Sequence, residues 1–161
     1  MPADPLAELT RLAAALRQPM SREAQLALAD AALARLFGHT ALTVNRYDAA
    51  RDESERVYSS VPDVYPLGGR KRRKTNGWSE RVIDRGEIHV GRNAAEIAAV
   101  FDDHALIAGL GCAAIMNIPV RYDGRTLGSF NLMGPAGQFD RADHPIALAV
   151  AALMIPAMSR F

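Results

Sequence analysis

The sequence predicts an α+β domain in which a central antiparallel sheet is covered by helices on both faces. The first observation is the order of the periodic segments, because alternating apolar runs lie between helical segments at both ends of the chain. The second is the stretch Ala113–Met133, which has two apolar runs joined by Asp123-Gly124. An Asp-Gly pair tolerates the positive φ of a tight turn and therefore predicts a β-hairpin.

The composition is that of an ordinary globular domain. The chain has 161 residues, of which 49% are hydrophobic and 23% charged, and its net charge is +1. A charge this small predicts no general attraction to nucleic acid or to a membrane surface. Cys112 is the single cysteine, which excludes an intramolecular disulfide and fits a reducing compartment, so we expect a cytoplasmic protein. The acidic start MPADPLAELT predicts no signal peptide.

Two helices are predicted at the amino-terminal end. Asp4 can cap a helix over residues 4–17, with Pro5 at its first position and leucines along one stripe. Ser21 can cap a second helix that ends near Phe37, before Gly38. We expect residues 1–20 to form a separate helical element, and residues 21–161 to form the main domain.

The middle of the chain predicts short strands and helices around a long loop. The predicted elements are strands over Thr40–Tyr47 and Glu55–Val61, a loop over Pro62–Gly77, a helix over Trp78–Asp84, a strand over Ile88–Val90, and helices over 93–101 and 104–110. After the hairpin, Asp140 is the predicted cap of a last helix, with Asp143 completing a capping box. That helix extends to Met158, and its two prolines are expected to bend it.

The hairpin and the residues around it resemble a GAF domain. The resemblance covers residues 21–158 and depends on the order and spacing of five short motifs rather than on any one of them. These are Gly109–Gly111, Ile118-Pro119-Val120, Asp123-Gly124, Leu127-Gly128 and Gln138-Phe139-Asp140.

The resemblance implies a particular layout, of the GAF/PAS-like kind. It implies a five- or six-stranded antiparallel sheet with the terminal helices on one face, while the segment 62–111 closes over the other. Domains of this family hold small molecules under that segment, among them cyclic nucleotides, tetrapyrroles, haem and amino-acid derivatives. Their extra terminal helices commonly build homodimers, so we expect residues 1–20 to be a dimer element.

Two asparagines interrupt the apolar pattern of the hairpin. A two-residue turn would pair Asn117 with Phe130, whereas a three-residue turn near Gly124 would set Asn117 opposite Asn131, with Ser129 and Met133 alongside. The resemblance favours the second register, which places both amides on the wall of a pocket. The alternative is that both amides are satisfied by local backbone groups.

The resemblance places three further residues on the opposite side of the pocket. Trp78 would be a roof with an indole N–H donor, or else a core aromatic, and Phe101 would lie beside it. His104 begins a helix where phytochromes have a histidine that touches the bilin, and its alternative is an exposed helix surface. His39, His89 and His144 lack ligand spacing with it, so we expect no metal site.

Five consecutive cations, Arg70–Lys74, are the sharpest charge feature of the chain. Because like charges repel, we expect a mobile loop. Three interpretations of this segment are open. It is a solvated loop, or a lid in which Arg72 or Arg73 contacts an anionic ligand, or a surface that binds nucleic acid. The last is disfavoured because the segment has no interleaved aromatic residues.

Cys112 is predicted to be a buried, unreactive thiol, since no neighbouring base or cation would lower its pKa. GAF proteins that reduce free methionine sulfoxide need several cysteines, and this chain has one. A Cys112-dependent redox protein, with an intersubunit disulfide, is nevertheless retained as an alternative. So is a protein-interaction module whose core is filled.

The leading hypothesis is a non-catalytic, small-molecule-binding sensory domain, homodimeric and acting on a separate signalling partner. The predicted contact residues are Trp78, Phe101, His104, Asn117, Ser129, Asn131, Met133, Arg72 and Arg73. No Ser-His-Asp pattern, metal-ligand cluster or phosphate-binding glycine loop predicts catalysis. The ligand is undetermined at this level, and the cationic segment favours an anionic one.

Overall fold

A computed structural model describes residues 3–159, and its centre is a six-stranded antiparallel sheet. The sheet order is β3-β2-β1-β6-β5-β4, so that the two strands of the predicted hairpin lie next to each other inside the sheet. The strands are β1 Ala41–Asp48, β2 Glu53–Ser59, β3 Arg70–Arg72, β4 His89–Gly91, β5 Ala114–Tyr122 and β6 Arg125–Gly134.

Seven α-helices and one π-helical turn are found among the described residues. The turn, Glu80–Asp84, follows α3 directly and leads towards β4. The helices are α1 Pro5–Ala15, α2 Arg22–Phe37, α3 Gly77–Ser79, α4 Ala94–Val100, α5 His104–Gly109, α6 His144–Leu153 and α7 Ile155–Ser159.

The two faces of the sheet are covered by different parts of the chain, as predicted. The helices α1, α2 and α6 pack on one face over side chains such as Leu42, Met116 and Leu132, which are fully buried. On the other face, Tyr65 and Ile107 from the connecting segment pack against strand residues of β5 and β6. This arrangement confirms the predicted α+β class and makes the second face the place where the connecting segment can enclose a cavity.

The hairpin has the predicted side-chain register, but it reaches that register in another way. Tyr122 pairs with Arg125, so the turn contains two residues, and Asp123 and Gly124 have φ angles of 50° and 69°. Further along, Val120 pairs with Gly128, so Leu127 is an extra residue, a β-bulge. The bulge moves the register by one position, and Asn117 pairs with Asn131 although the turn is short. The predicted three-residue turn was wrong, while the pairing it was meant to explain is correct.

Two other predictions are corrected by the structure. The cationic segment is not a loose loop, because Arg70–Arg72 form the edge strand β3 against Glu53–Glu55, and Arg70 Nη1 lies 3.2 Å from Glu53 Oε1. Backbone pairing and acidic cross-strand partners offset the repulsion between the cations. The second correction concerns the bounds of β2. The strand was predicted over Glu55–Val61 and is observed over Glu53–Ser59, two residues earlier at both ends.

The last helix begins later than predicted and is broken. Asp143, not Asp140, is the N-cap of α6, and its carboxylate accepts a hydrogen bond from the Ile146 N–H at 3.2 Å. Pro145 lies in the first turn, where its missing N–H costs nothing. The helix ends before Met154, and Pro156 lies at the start of α7.

The amino-terminal helix α1 packs on its own chain. Leu12 is buried in the core under the helices, and the buried Glu8 carboxylate accepts hydrogen bonds from Arg11 at 2.7 Å and Arg35 of α2 at 2.8 Å. Leu6 remains 72% exposed. The dimer role of residues 1–20 stays a prediction, and its residues 1–2, like residues 160–161 of the predicted main domain, lie outside the described part. Across residues 3–159 no helix combines the length and apolar character needed to cross a bilayer.

Gly128, which follows the bulge, is expected to tolerate no side chain. A Cβ atom there would overlap the Asn45 carbonyl oxygen and press on the Met158 side chain, whereas one at Gly109 would meet nothing within 4 Å. We expect Gly128→Ala to lower the free energy of unfolding by about 1–3 kcal/mol or more, and Gly109→Ala to leave it unchanged or raise it by up to about 1 kcal/mol. Urea unfolding followed by circular dichroism measures both, and equal effects would contradict the close packing at Gly128.

Candidate functional site

A cavity of about 170 Å³ lies between the second face of the sheet and the segment that covers it. Its floor comes from four neighbouring strands, β2, β1, β6 and β5, and its roof from the chain between β2 and β5. The floor residues include Thr43, Asn45, Ser54, Arg56, Ile115, Asn117, Asn131 and Met133, and the roof residues include Tyr65, Trp78, Phe101, Asp103 and Ile107.

The Asn117 side chain connects the floor to the roof. Its Oδ1 accepts a hydrogen bond from the Trp78 indole N–H at 3.0 Å, and its Nδ2 donates to Asn131 Oδ1 at 2.8 Å. An indole nitrogen can only donate, so this contact determines which end of the Asn117 amide faces the roof. The partners of Asn117 are thus side chains of other elements, and not the local backbone groups of the alternative prediction.

His89 of β4 completes the contacts of that amide oxygen. Its Nδ1 lies 3.0 Å from Asn117 Oδ1, which has no hydrogen to give, so Nδ1 carries the proton. Burial lowers the pKa of His89 below its ordinary value near 6.5, and the Asn117 hydrogen bond opposes that change only in part. The imidazole is therefore neutral at physiological pH, and its Nε2 is an acceptor.

Asn131 extends the network across the sheet. Its Oδ1 also accepts a hydrogen bond from Ser129 Oγ at 3.0 Å, and its Nδ2 donates to Thr43 Oγ1 of β1 at 3.3 Å. Ser129, Asn131 and Thr43 are buried, and each polar group has a partner, as buried polar groups require. The floor is thus a continuous chain of hydrogen bonds across β1, β6, β5 and β4.

Aromatic rings form the adjacent part of the roof. Phe101 lies edge-on to Trp78, with ring centroids 6.0 Å apart at 72°, and edge-on to His89 at 6.0 Å and 69°. Such T-shaped contacts stabilise ring pairs beyond their burial. Phe101 therefore holds in place the two rings that donate to Asn117.

The structure brings most of the predicted contact residues together. Those that line the cavity are Trp78, Phe101, Asn117, Asn131, Met133, Arg72 and Arg73. Ser129 lines a space of about 10 Å³ next to it, and His104 lies exposed at the start of α5, outside the lining of either space. Contact of any of them with a ligand stays a prediction.

The strand register separates the cations of β3. Lys71 pairs with Ser54, which lines the cavity, whereas Arg72 pairs with Glu53, and directly opposite residues share a face. The register therefore places Arg72 on the opposite face of β3 from Lys71, although Arg72 also belongs to the lining of the cavity. Arg73 follows the strand and donates to Asp84 Oδ2 at 2.6 Å.

The sequence analysis missed Arg56, Tyr65 and Asp103. The Arg56 guanidinium lies 4.7 Å above the centre of the Tyr65 ring, and the Tyr65 hydroxyl donates to Asp103 Oδ2 at 2.7 Å. Arg56 faces the cavity because Val57 is an extra residue, a second β-bulge, between Tyr58 and Arg56. Regular alternation from Tyr58 would have turned Arg56 to the helix-covered face, so the sequence carried no signal for it.

Cys112 is 4% exposed and packs in the cluster under the roof. Burial raises the pKa of its thiol, which lowers the fraction of the reactive thiolate at neutral pH. Within residues 3–159, no three His, Cys, Asp or Glu side chains are grouped as metal ligands would be.

Comparison with known proteins shows that the chain has the GAF fold. No protein-family profile and no curated protein sequence matches it. The GAF domain of an Acinetobacter phosphoenolpyruvate-protein phosphotransferase superposes with a TM-score of 0.74 at 15% identity, covering 96% of this chain and 92% of that one. The corresponding domain from Coxiella burnetii gives 0.69 at 16% identity, covering 97% and 95%.

A solved enzyme has a similar fold. The free methionine-R-sulfoxide reductase from Neisseria meningitidis, in complex with its substrate, superposes with a TM-score of 0.64 at 18% identity, covering 98% of this chain and 92% of that one. Identities this low establish the fold alone. The fold is therefore shared by GAF domains of phosphotransferases and by a reductase, and the function must be argued from the site.

The free energy of unfolding is expected to fall in mild acid because of His89. Since the folded-state pKa lies below the unfolded-state value near 6.5, the unfolded chain binds more protons as the pH drops below that value. Thermal unfolding at about pH 7.5 and pH 5 should show this loss in the wild type and a smaller one in His89→Gln, which cannot titrate. Equal losses in the two proteins would contradict the assignment.

Removal of the Asn117 amide is expected to leave two hydrogen-bond donors without an acceptor. Asn117→Leu leaves the Trp78 and His89 N–H donors without their acceptor, and an unsatisfied buried donor costs about 1–3 kcal/mol. We expect the free energy of unfolding to fall by about 2–4 kcal/mol, with a change in the fluorescence of Trp78, the single tryptophan.

The matched control is Asn45→Leu. Asn45 lines the same cavity, but its side chain makes no hydrogen bond within the described part of the chain. The same chemical change should therefore cost less than about 1 kcal/mol there. Similar losses at both positions would show that the Asn117 network does not hold the roof.

Proposed function

We propose that this chain is a non-catalytic sensory domain that binds a small organic molecule between the sheet and its roof. The observation that carries the proposal is the cavity of about 170 Å³, which is bounded by four strands and by the separate segment above them. The polar floor and the aromatic roof give a ligand both an orienting surface and an apolar contact, which is the usual character of a small-molecule site.

The size of the cavity restricts the ligand. An engineered apolar cavity of about 150 Å³ binds benzene, so this cavity fits a molecule of roughly six to ten non-hydrogen atoms. Larger molecules such as tetrapyrroles would require the roof to open. The guanidinium of Arg56, which lines the cavity, supports a ligand with an anionic group.

A ligand in this cavity would act on the elements that form its roof. Trp78 contacts Phe101 within the roof and is hydrogen-bonded to Asn117 of the sheet. A ligand in the cavity would therefore shift the equilibrium between arrangements of the roof. We propose that a separate signalling partner reads the change, that the chain acts as a homodimer, and that it works in the cytoplasm. The exposed Leu6 of α1 supports a dimer contact on that helix, and light scattering after size-exclusion chromatography measures the mass.

The alternatives have weaker support. A redox enzyme would use Cys112, but its thiol is buried, its pKa is raised, and the chain has no second cysteine to resolve a disulfide. An interaction module with a filled core would leave no space between the sheet and the roof, which is at odds with the observed cavity.

Native mass spectrometry of the freshly purified protein tests the proposal. We expect a reproducible non-covalent adduct of low mass, which is absent from the denatured protein. Ile115→Trp extends a larger ring from the floor into the cavity and should abolish the adduct, at an overpacking cost of about 1–3 kcal/mol.

The control for this experiment is Leu148→Trp, which adds the same ring on the partly exposed side of α6. Its adduct should match that of the wild type. An adduct that survives in Ile115→Trp, with circular dichroism showing a folded protein, would place binding elsewhere and overturn the proposal for this cavity.

A further inference from the structure

The cations at the mouth of the cavity are for the most part already paired with acids of the same chain. Each of these pairs joins the cationic segment to an element of the roof, so their charges cancel locally. The pairs are Arg73–Asp84 at 2.6 Å, Lys71–Asp103 at 3.8 Å, and Lys74–Asp102.

Arg56 differs from these cations. It lines the cavity, and no ion pair joins it to an acid among residues 3–159. Arg72, which also lines the cavity and also has no ion pair in that range, is placed by the register on the opposite face of β3 from Lys71.

The hydrogen bonds of the Arg56 guanidinium are incomplete. Arg56 Nη1 donates to the Pro66 carbonyl at 2.9 Å, while Arg56 Nε is buried and has no acceptor. The Nε of Arg73 also lacks an acceptor, but the Arg73 guanidinium is already paired with Asp84. A buried donor without a partner is costly, so the protein itself leaves the Arg56 guanidinium incompletely satisfied.

The guanidinium is held in position before any ligand arrives. Tyr65 supports its face at 4.7 Å, and Pro66 holds one end. Gly69 allows this close approach, because a Cβ atom there would lie 2.9 Å from Nη1. A donor fixed in this way loses little conformational entropy on binding.

We propose that Arg56 recognises the ligand of this domain, and that the ligand is a small organic acid whose carboxylate pairs with the unoccupied edge of the guanidinium. The inference rests on the proposed binding function of the cavity and adds to it the residue and the ligand class. It also moves anion recognition from Arg72 and Arg73, where the sequence predicted it, to the neighbouring strand.

The remaining lining determines what the rest of the acid must be. Ile107, Ile115, Met133 and Phe101 present apolar surface, so the body of the ligand is an aliphatic or aromatic group. With a volume of about 170 Å³, the cavity fits an acid of the size of benzoate or of a branched five-carbon acid.

A carboxylate fits this site better than a phosphate. The edge of a guanidinium offers two parallel donors, which match the two oxygens of a carboxylate. A phosphate dianion would need a second unpaired cation on the cavity face of β3, and Lys71, which lies on that face, is already shared with Asp103. Asp103 does not repel the acid strongly, because Lys71 and the Tyr65 hydroxyl both bind its carboxylate.

Calorimetric titration with matched probes tests the inference on the full chain. The probes are benzoate, phenylacetate and 3-methylbutanoate, each compared with its neutral amide, and inorganic phosphate. We expect at least one acid to bind about tenfold or more tightly than its amide, the size of effect of one charge-assisted hydrogen bond, and more tightly than phosphate.

Variants of two arginines assign the effect. Arg56→Gln should remove the preference for acid over amide, and Arg56→Lys should reduce it, because an ammonium keeps the charge but lacks the planar fork. Arg70→Gln is the matched control, since Arg70 pairs with Glu55 on the other face of β2. It should leave the preference unchanged. If Arg56→Gln fails to fold, Arg56→Lys carries the comparison.

Each contrary outcome is distinct. Equal binding of acids and amides, or an acid preference kept in full by both Arg56 variants, overturns the role of Arg56 while ligand binding by the cavity stands. Phosphate binding more tightly than every acid overturns the carboxylate class. If no acid binds with a dissociation constant below about 10 mM, the inference fails. The low-mass adduct in native mass spectrometry tests the proposed function separately.

Discussion

The amide of Asn117 is the contact on which the arrangement of the site depends. One oxygen accepts from Trp78 of the roof and from His89 of β4, while the nitrogen donates to Asn131 of β6. A buried amide must be satisfied, so these partners cannot move independently without a cost of about 1–3 kcal/mol for each group left unpaired. Hydrogen bonds with defined geometry therefore fix the position of the roof relative to the sheet, and apolar contacts alone would not fix it in this way.

Two β-bulges decide which side chains reach the cavity. The extra residue Leu127 sets Asn117 opposite Asn131 despite a two-residue turn, and the extra residue Val57 turns Arg56 towards the cavity. A one-residue slip in a strand moves every later side chain to the other face. The pairing of Asn117 with Asn131 could be predicted because the family resemblance favoured that strand register. Arg56 could not, because a bulge inside a strand has no mark in the local sequence when no glycine or proline is present.

Composition and periodicity predict the features that depend on local sequence, and they miss those that depend on partners distant in sequence. Helix caps such as Asp4 and Ser21, the Asp123-Gly124 turn and the two-faced sheet follow from local rules that the structure obeys. The cationic segment did not follow from them, because its repulsion is offset by acids that are distant in sequence. Glu53 and Glu55 lie across the strand pair, and the remaining partners come from the roof.

This cancellation of charge also supports the proposal that one arginine selects the ligand in a region with many cations. Five unpaired cations would attract any anion, whereas ion pairs leave the net field small and make recognition depend on the short-range geometry of a single guanidinium. Tyr65 links the two effects, since its ring supports Arg56 and its hydroxyl holds Asp103 beside Lys71. Burial raises the pKa of Tyr65, so the phenol stays neutral and serves both contacts at once. Under the proposed function, an acid that binds Arg56 would therefore contact the roof through Tyr65 as well as the sheet, and this pairing would couple occupancy of the cavity to the position of its roof.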